Sequence, residues 1–184
     1  MRVITGLARG RRLETLPGDN TRPTGEKVKE SLFSAIQFDI EGRRVLDLFA
    51  GSGQLGIEAL SRGASGCVFV DKNTEAVKII KQNLQHTDLM EKAQVLGTDA
   101  LSYLTRPGDR FDLVFLDPPY ASELLIPVLN KVAPLVNDGG ILVCETDDTV
   151  TLPEQVDRFA VARTYRFGHT YVWLYRYDPK EESL

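Results

Sequence analysis

From Arg43 onward, short unbroken apolar runs alternate with amphipathic stretches. Val45-Leu-Asp-Leu-Phe-Ala50 is apolar apart from one acid and ends in Gly51-Ser-Gly53, after which a helical stretch extends to about Ser61. Cys67-Val-Phe-Val-Asp71 predicts a second strand, and Asn73 to Gln85 predicts a helix with Val77, Ile80 and Leu84 on one face. Ala93 to Leu96 and Phe111-Asp-Leu-Val-Phe-Leu116 read as the third and fourth strands. A helix through Leu124, Leu125, Val128 and Leu129 follows, and Gly139-Gly140 leads into a fifth strand, Ile141 to Cys144. Continuous apolar strands separated by helices predict a parallel sheet covered on both faces. After Pro153 the pattern changes. Residues 158 to 166 and 170 to 177 are rich in Val, Tyr, Phe and Trp, with Gly168-His169 between them, so the sheet should end in an antiparallel hairpin. Upstream, Arg2 to Thr15 is expected to form a short hairpin around Gly10. Thr24 to Ile36 reads as a helix with Val28, Leu32, Phe33 and Ile36 inward.

At 184 residues, 42% apolar and 26% charged, the chain fits one globular domain and excludes a disordered one. Residues 1–40 form an N-terminal extension, 41–177 the core and 178–184 a tail. No apolar run approaches the roughly 20 residues that span a bilayer, and the start has no signal-like apolar segment, so the expectation is cytoplasmic. Cys67 and Cys144 stand alone in apolar stretches, without Cys or His at ligand spacing. Buried thiols are expected, and no metal site.

The net charge of −4 is unevenly spread. Residues 1–30 carry seven Lys/Arg against four Asp/Glu, and residues 158–177 carry four Arg and no acid, whereas residues 31–157 hold ten basic against nineteen acidic residues. An acidic body with two basic edges argues against general nucleic-acid coating but allows a local phosphate-contacting face if the ends meet.

Two features carry chemistry. The first is Gly51-Ser-Gly-Gln-Leu-Gly56, a G-x-G-x-x-G string opening a helix, with Asp71 twenty positions after Gly51 at the end of the next strand. The glycines let a ligand approach the backbone, and the acid suits ribose hydroxyls. A tight turn without a ligand would use the same glycines. Asp47, an acid inside an apolar strand, discriminates among nucleotides. A buried carboxylate needs a donor or cation, which the α-amino group of S-adenosylmethionine supplies and a pyrophosphate does not. Asp99, after the third strand, could accept from an adenine amino group or cap a helix.

The second feature is Asp117-Pro-Pro-Tyr120 at the end of the fourth strand. Two prolines cannot continue a sheet ladder and stiffen a loop at the carboxyl edge, where open α/β sheets bind ligands. An exocyclic base amine is a poor nucleophile because its lone pair is delocalised. The Asp117 carboxylate and Pro118 carbonyl could hold both N–H groups and favour a pyramidal nitrogen, an effect worth about 2.7–4 kcal/mol per group in the barrier. Tyr120 could stack on the base, worth about 1–3 kcal/mol.

Together, Asp47-Leu-Phe-Ala-Gly-Ser-Gly53 and Asp117-Pro-Pro-Tyr120 resemble the class I S-adenosylmethionine-dependent amino-methyltransferases, which modify adenine N6, cytosine N4 or guanine N2. Gly6-Leu-Ala-Arg-Gly-Arg-Arg12, Arg22-Pro-Thr24 and Val28-Lys-Glu-Ser-Leu-Phe33 are similar to the signature of the bacterial 16S rRNA guanine-N2 methyltransferase family, RsmD. The resemblance covers nearly the whole chain. It implies a Rossmann-like, seven-stranded, mostly parallel α/β sheet with an antiparallel C-terminal hairpin and a small N-terminal extension. It also implies methylation of guanine 966 of 16S rRNA, within the 30S subunit or its assembly intermediates, by a monomer that needs no metal and no membrane.

Carried over, Asp47, Gly51, Gly53, Asp71 and Asp99 would bind the cofactor, with Phe49, Ser52, Lys72, Ala100 and Asp117 beside them. Asp117, Pro118, Pro119 and Tyr120 would hold the target amine. Arg2, Arg9, Arg11 and Arg12 would contact phosphates. Arg22 and Thr24 would line the cleft or, alternatively, serve as a surface charge and a helix cap. Ala8 departs from the aromatic residue usual before Arg-Gly-Arg, which argues against base stacking by this hairpin. His169 stands at a commonly acidic position and reads as a surface substitution, and His86 as solvated. A nicotinamide-binding protein or a DNA adenine-N6 methyltransferase is the alternative; the first explains neither Asp47 nor the double proline, and the second lacks a target-recognition domain.

Overall fold

The structure, a computed structural model, describes residues 1–18, 24–106, 108–119 and 123–178. The parallel strands are β1 (Arg44–Asp47), β2 (Gly66–Asp71), β3 (Ala93–Gly97), β4 (Phe111–Leu116) and β5 (Val136–Asp147). Three antiparallel strands complete the sheet: β6 (Gln155–Val156), β7 (Phe159–Phe167) and β8 (Thr170–Tyr177). The helices are α1 (Thr24–Ala35), α2 (Gln54–Ser61), α3 (Thr74–His86), α4 (Ala100–Leu104) and α5 (Leu125–Val132).

The strand order is β3-β2-β1-β4-β5-β8-β7-β6. It has eight strands where seven were expected. The extra one, β6, is two residues long and pairs with the start of β7 after a turn in which Asp157 adopts φ 50°. β5 is also longer than expected. A register shift opposite Phe111 and Leu113 lets the ladder run through Gly139-Gly140, where Gly139 turns with φ 78°. The order reverses between β1 and β4. At such a switch point the loops after neighbouring strands diverge and leave a crevice at the carboxyl edge.

The unbroken apolar runs are explained by two cores. On one face Val45, Phe69, Phe115 and Val143 pack against α1, α2, α3 and the N-terminal arm. On the other, Leu46, Val68, Val114 and Leu142 pack against α4 and α5. Cys67 and Cys144 are buried free thiols. Among the described residues, no helix is long and apolar enough to cross a membrane.

The N-terminal arm is a hairpin closed by one bridge, Arg2 to Arg12, rather than by two regular strands. Some of its main-chain groups pair across the hairpin, Val3 N–H with Arg11 O and Leu13 N–H with Met1 O, both at 2.9 Å, while several of those between them bond to the helix beneath it. Ile4 and Thr5 donate their N–H groups to the Glu58 carboxylate at 2.9 and 3.1 Å, and Ala8 donates to Ser61 Oγ at 2.9 Å. Glu58 is fully buried and also meets Lys29 Nζ at 3.2 Å and Arg62 Nε at 2.9 Å. Burial lowers the Lys29 pKa against the opposing pull of Glu58. This ionic knot joins α1, α2 and the arm.

Candidate active site

At the carboxyl edge β1 splays. The Leu48 N–H bonds Phe115 O of β4 at 3.1 Å and the Ala50 N–H bonds Val70 O of β2 at 3.1 Å, so the following loop spans the crevice. Gly51 and Gly53 turn through left-handed backbone, φ 57° and 80°, and no atom lies within 4 Å of where a Gly51 Cβ would sit. Gly56 has a different role. A Cβ there would meet the Phe69 ring at 2.3 Å, so this glycine lets α2 lie directly on β2.

Asp47 is buried, and its Oδ2 accepts from the Gly56 N–H at 3.0 Å. Burial raises its pKa to about 7; the Gly56 bond opposes the shift and the charge of Asp71 adds to it. Asp71 accepts from the Gly51 N–H at 2.9 Å and the Asn73 N–H at 2.8 Å. Its spacing from Gly51 thus reflects a loop pinned by this acid as well as a group facing a ligand. For Asp99 the structure shows the cap: it accepts from the Ser102 N–H at 2.9 Å and Ser102 Oγ at 2.6 Å, bonds that hold its carboxyl below the usual range.

These acids line one cavity of about 640 Å³. Phe49, Gly51, Ser52, Lys72 and Ala100 are in its wall. Gly53 is not in that wall: a Cβ there would sit 3.3 Å from Ile80, and its backbone caps α2. Asp117, Pro118 and Pro119 close the cavity from the end of β4, so the structure brings the double proline and the glycine loop together. Tyr120 and Arg22 lie outside the described residues; Thr24 opens α1, and its side chain lies outside them too.

The four arginines of the arm divide. Arg2 pairs with Glu26 at 3.6 Å, and Arg11 donates to His86 O at 2.6 Å and Asp88 at 2.8 Å, which commits it to the end of α3. Arg9 and Arg12 are exposed, without an ion pair among the described residues. Ala8 is buried, so its position faces the core and not a nucleic acid. His169 is exposed and meets Asp148 at 2.6 Å. His86 is exposed at the end of α3.

Three residues of the site escaped the sequence reading. Leu16 brings the arm into the cavity wall. Asn83, buried on α3, accepts from the Glu14 N–H at 2.8 Å and donates to Glu14 O and Ser52 O, both at 2.9 Å, tying the arm to the glycine loop. Gln54 lines the cavity and has a buried amide oxygen without a partner.

Residues 1–176 match the family described as Conserved hypothetical protein 95. Ribosomal RNA small subunit methyltransferase D of Escherichia coli (strain K12) is 32% identical over 189 aligned positions, covering 100% of this chain and 93% of its own. The chain belongs to the RsmD family. YlbH of Bacillus subtilis (strain 168) is 43% identical over 181 positions, covering 96% of this chain and 98% of that one. The solved structure of yhhF from Escherichia coli superposes with a TM-score of 0.85 at 32% identity, covering 97% and 98% of the two chains. As an RsmD-family member the chain has the Rossmann-like fold of class I methyltransferases, with one short strand more than the expected seven.

Proposed function

We propose that this protein transfers a methyl group from S-adenosylmethionine to the exocyclic N2 of a guanine in 16S rRNA, with guanine 966 as the target. The observation that carries the reading is the meeting of Asp117-Pro118-Pro119 with Asp47 and the glycine loop in one cavity at the switch point of the sheet. Small-subunit rRNA is supported by the name of the whole-length E. coli relative. The N2 atom and the position are supported by the Arg-Gly-Arg and Arg-Pro-Thr segments of the extension.

The residues fit the cofactor. A buried acid whose second oxygen is not used by Gly56 suits an ammonium group, and α2 begins without a side-chain cap, which suits a carboxylate. Asp71 and Asp99 keep acceptor capacity beyond their protein bonds, because an ionised carboxyl offers about four lone-pair sites. A wall containing Asp47, Asp71, Asp99 and Asp117 repels a pyrophosphate, which disfavours a nicotinamide dinucleotide.

When bound, the cofactor supplies a methyl carbon made electrophilic by its sulfonium. Asp117 and the Pro118 carbonyl hold the two N–H groups of the amine and turn its lone pair toward that carbon. Pro118 is buried and Pro119 exposed, so the loop is stiff without being sealed, and a flipped base can enter. Asp117 stands closest to take the proton that the amine sheds. Arg9 and Arg12 steer phosphates toward the edge. The protein acts as a cytoplasmic monomer on 30S subunits or their precursors.

Incubation with labelled cofactor and under-modified 30S particles, free 16S RNA or DNA, followed by nucleoside analysis, tests this. N2-methylguanine from 16S rRNA is the expected product. Label in N6-methyladenine alone, or thermal stabilisation by NAD and not by S-adenosylmethionine or its demethylated product, would sink it.

A further inference from the structure

The four arginines between residues 158 and 177, a stretch without an acid, fall into two kinds. Arg158 pairs with Asp138 and Arg176 with Asp39. Arg163 and Arg166 are exposed and have no ion pair among the described residues. Each instead stands over a half-buried tyrosine, Arg163 at 5.1 Å from the centre of the Tyr165 ring and Arg166 at 5.5 Å from that of Tyr171. Arg166 Nε also donates to Gly168 O at 3.1 Å. A guanidinium steadied by a ring keeps N–H donors at its rim that fit a phosphate, and ring and guanidinium both offer flat faces to a base.

Their place in the sheet relates them to the reacting edge. β8 runs antiparallel to β5, with Asp147 opposite Thr170, so the tip of the β7–β8 hairpin lies at the carboxyl edge. Leu116, the residue before Asp117, is in register with Cys144, then Trp173, then Thr164, which stands between the two arginines. At roughly 4.8 Å per strand, three steps across the sheet put β7 about 14 Å from the double-proline corner. β6 pairs with β7 only at Phe159 and Ala160, so from Ala162 onward β7 is an outer edge. Arg163 pairs with Leu174 and Arg166 with Tyr171, which puts them on opposite faces of that edge. The acids at this end, Glu145 and Asp147, are on β5 beyond β8, and Asp148 meets His169 at 2.6 Å.

We propose that Arg163 and Arg166, with Tyr165 and Tyr171, form a second RNA-contact surface that holds unpaired nucleotides flanking the base in the active site. This rests on the rRNA reading above and extends it to a part of the fold far along the chain from the basic arm. Charges on an edge strand also deter pairing with other chains, but either sign of charge serves that duty. Reversing the charge therefore separates the two roles.

Arg163→Ala/Arg166→Ala and Arg163→Glu/Arg166→Glu are compared with wild type and with Arg158→Ala, the ion-paired control. Single-turnover methylation of under-modified 30S particles is followed at saturating S-adenosylmethionine over a range of particle and salt concentrations, with titration of S-adenosylhomocysteine alongside. A fifth protein carries p-azidophenylalanine in place of Thr164, which is exposed, and is irradiated on the particles.

The Ala pair should raise the half-saturating particle concentration about tenfold or more and lower the log–log salt slope by about 1.4, the value for two phosphate contacts to a single strand. Its rate at saturation should stay within about threefold and its S-adenosylhomocysteine affinity within about twofold of wild type. The Glu pair should lose at least as much, Arg158→Ala should change less than about twofold, and the azide should cross-link to 16S rRNA. A Glu pair that saturates like wild type would leave edge protection alone and overturn the proposal. So would an equal effect of Arg158→Ala, a matching loss of S-adenosylhomocysteine affinity, or cross-linking to a ribosomal protein and not to rRNA. Failure of wild type to methylate rRNA overturns the underlying reading, a distinct result.

Discussion

Replacing Asp47 with Asn should abolish a proton release that accompanies cofactor binding. Burial, opposed by the Gly56 N–H and aided by Asp71, raises the Asp47 pKa from 3.8 to about 7. Between these values the folded protein holds a proton that the unfolded chain has lost. This stabilising contribution is therefore complete below about pH 4 and disappears as pH rises through about 7. At 1.36 kcal/mol per pK unit, the gap corresponds to about 4 kcal/mol. The Asn side chain still accepts from Gly56 but has no charge to bury. Urea unfolding of the ligand-free proteins should show stability falling from pH 5 to pH 8 in wild type and a flatter profile in Asp47→Asn.

The same group should be visible in binding. At pH 6.5 about three-quarters of ligand-free molecules carry the Asp47 proton, given a pKa of about 7. An ammonium placed beside the carboxyl favours its ionised form, so binding expels most of that proton. Calorimetry of S-adenosylhomocysteine at pH 6.5, in buffers of different ionisation enthalpy, should give a release of about 0.7 proton in wild type and close to none at pH 8.5. Asp47→Asn should release close to none at either pH and bind about tenfold or more weakly. Equal proton release in wild type and Asp47→Asn, or none in wild type at pH 6.5, would refute the pairing of this acid with an ammonium group.

Three further substitutions probe other parts of the molecule. Asp117→Ala should lower kcat about 10²-fold or more with S-adenosylhomocysteine affinity retained, measured by single-turnover methylation and titration; equal loss of both would make its role structural. Arg9→Ala/Arg12→Ala should weaken RNA binding and reduce the slope of log affinity against log salt by about 1.5, whereas Arg11→Ala, already held by Asp88, should change the slope by much less. Lys29→Met leaves Arg62 as the one cation paired with buried Glu58 among the described residues, and chemical denaturation should show a loss of about 3 kcal/mol with ligand binding intact at temperatures where the protein remains folded.

What was legible in the sequence was whatever depends on near neighbours along the chain. The predicted limits of β4, Phe111 to Leu116, coincide with the observed strand because an apolar run closed by Asp-Pro-Pro can be nothing longer. The glycine loop and the double proline announce themselves by spacing, and the sheet brings them together because β1 and β4 are adjacent. Asp71 and Asp99 show the limit of spacing. An acid after a strand looks the same whether it pins a loop, caps a helix or faces a ligand, and here the first two duties are seen directly.

Glu58 and Asn83 were not legible at all, because both sit in amphipathic helices where a polar residue ordinarily means solvent. Their partners include main-chain atoms 53 to 69 residues away, and main chain carries no residue-specific signal. The polar contacts of this arm are therefore visible only in the fold. They matter for function because they make the arm part of the cavity. Asn83 bonds Glu14 on one side and Ser52 on the other, while Leu16, two residues further along, stands in the wall. The segment that carries Arg9 and Arg12, for which we propose phosphate contacts, thus also contributes to the cavity wall.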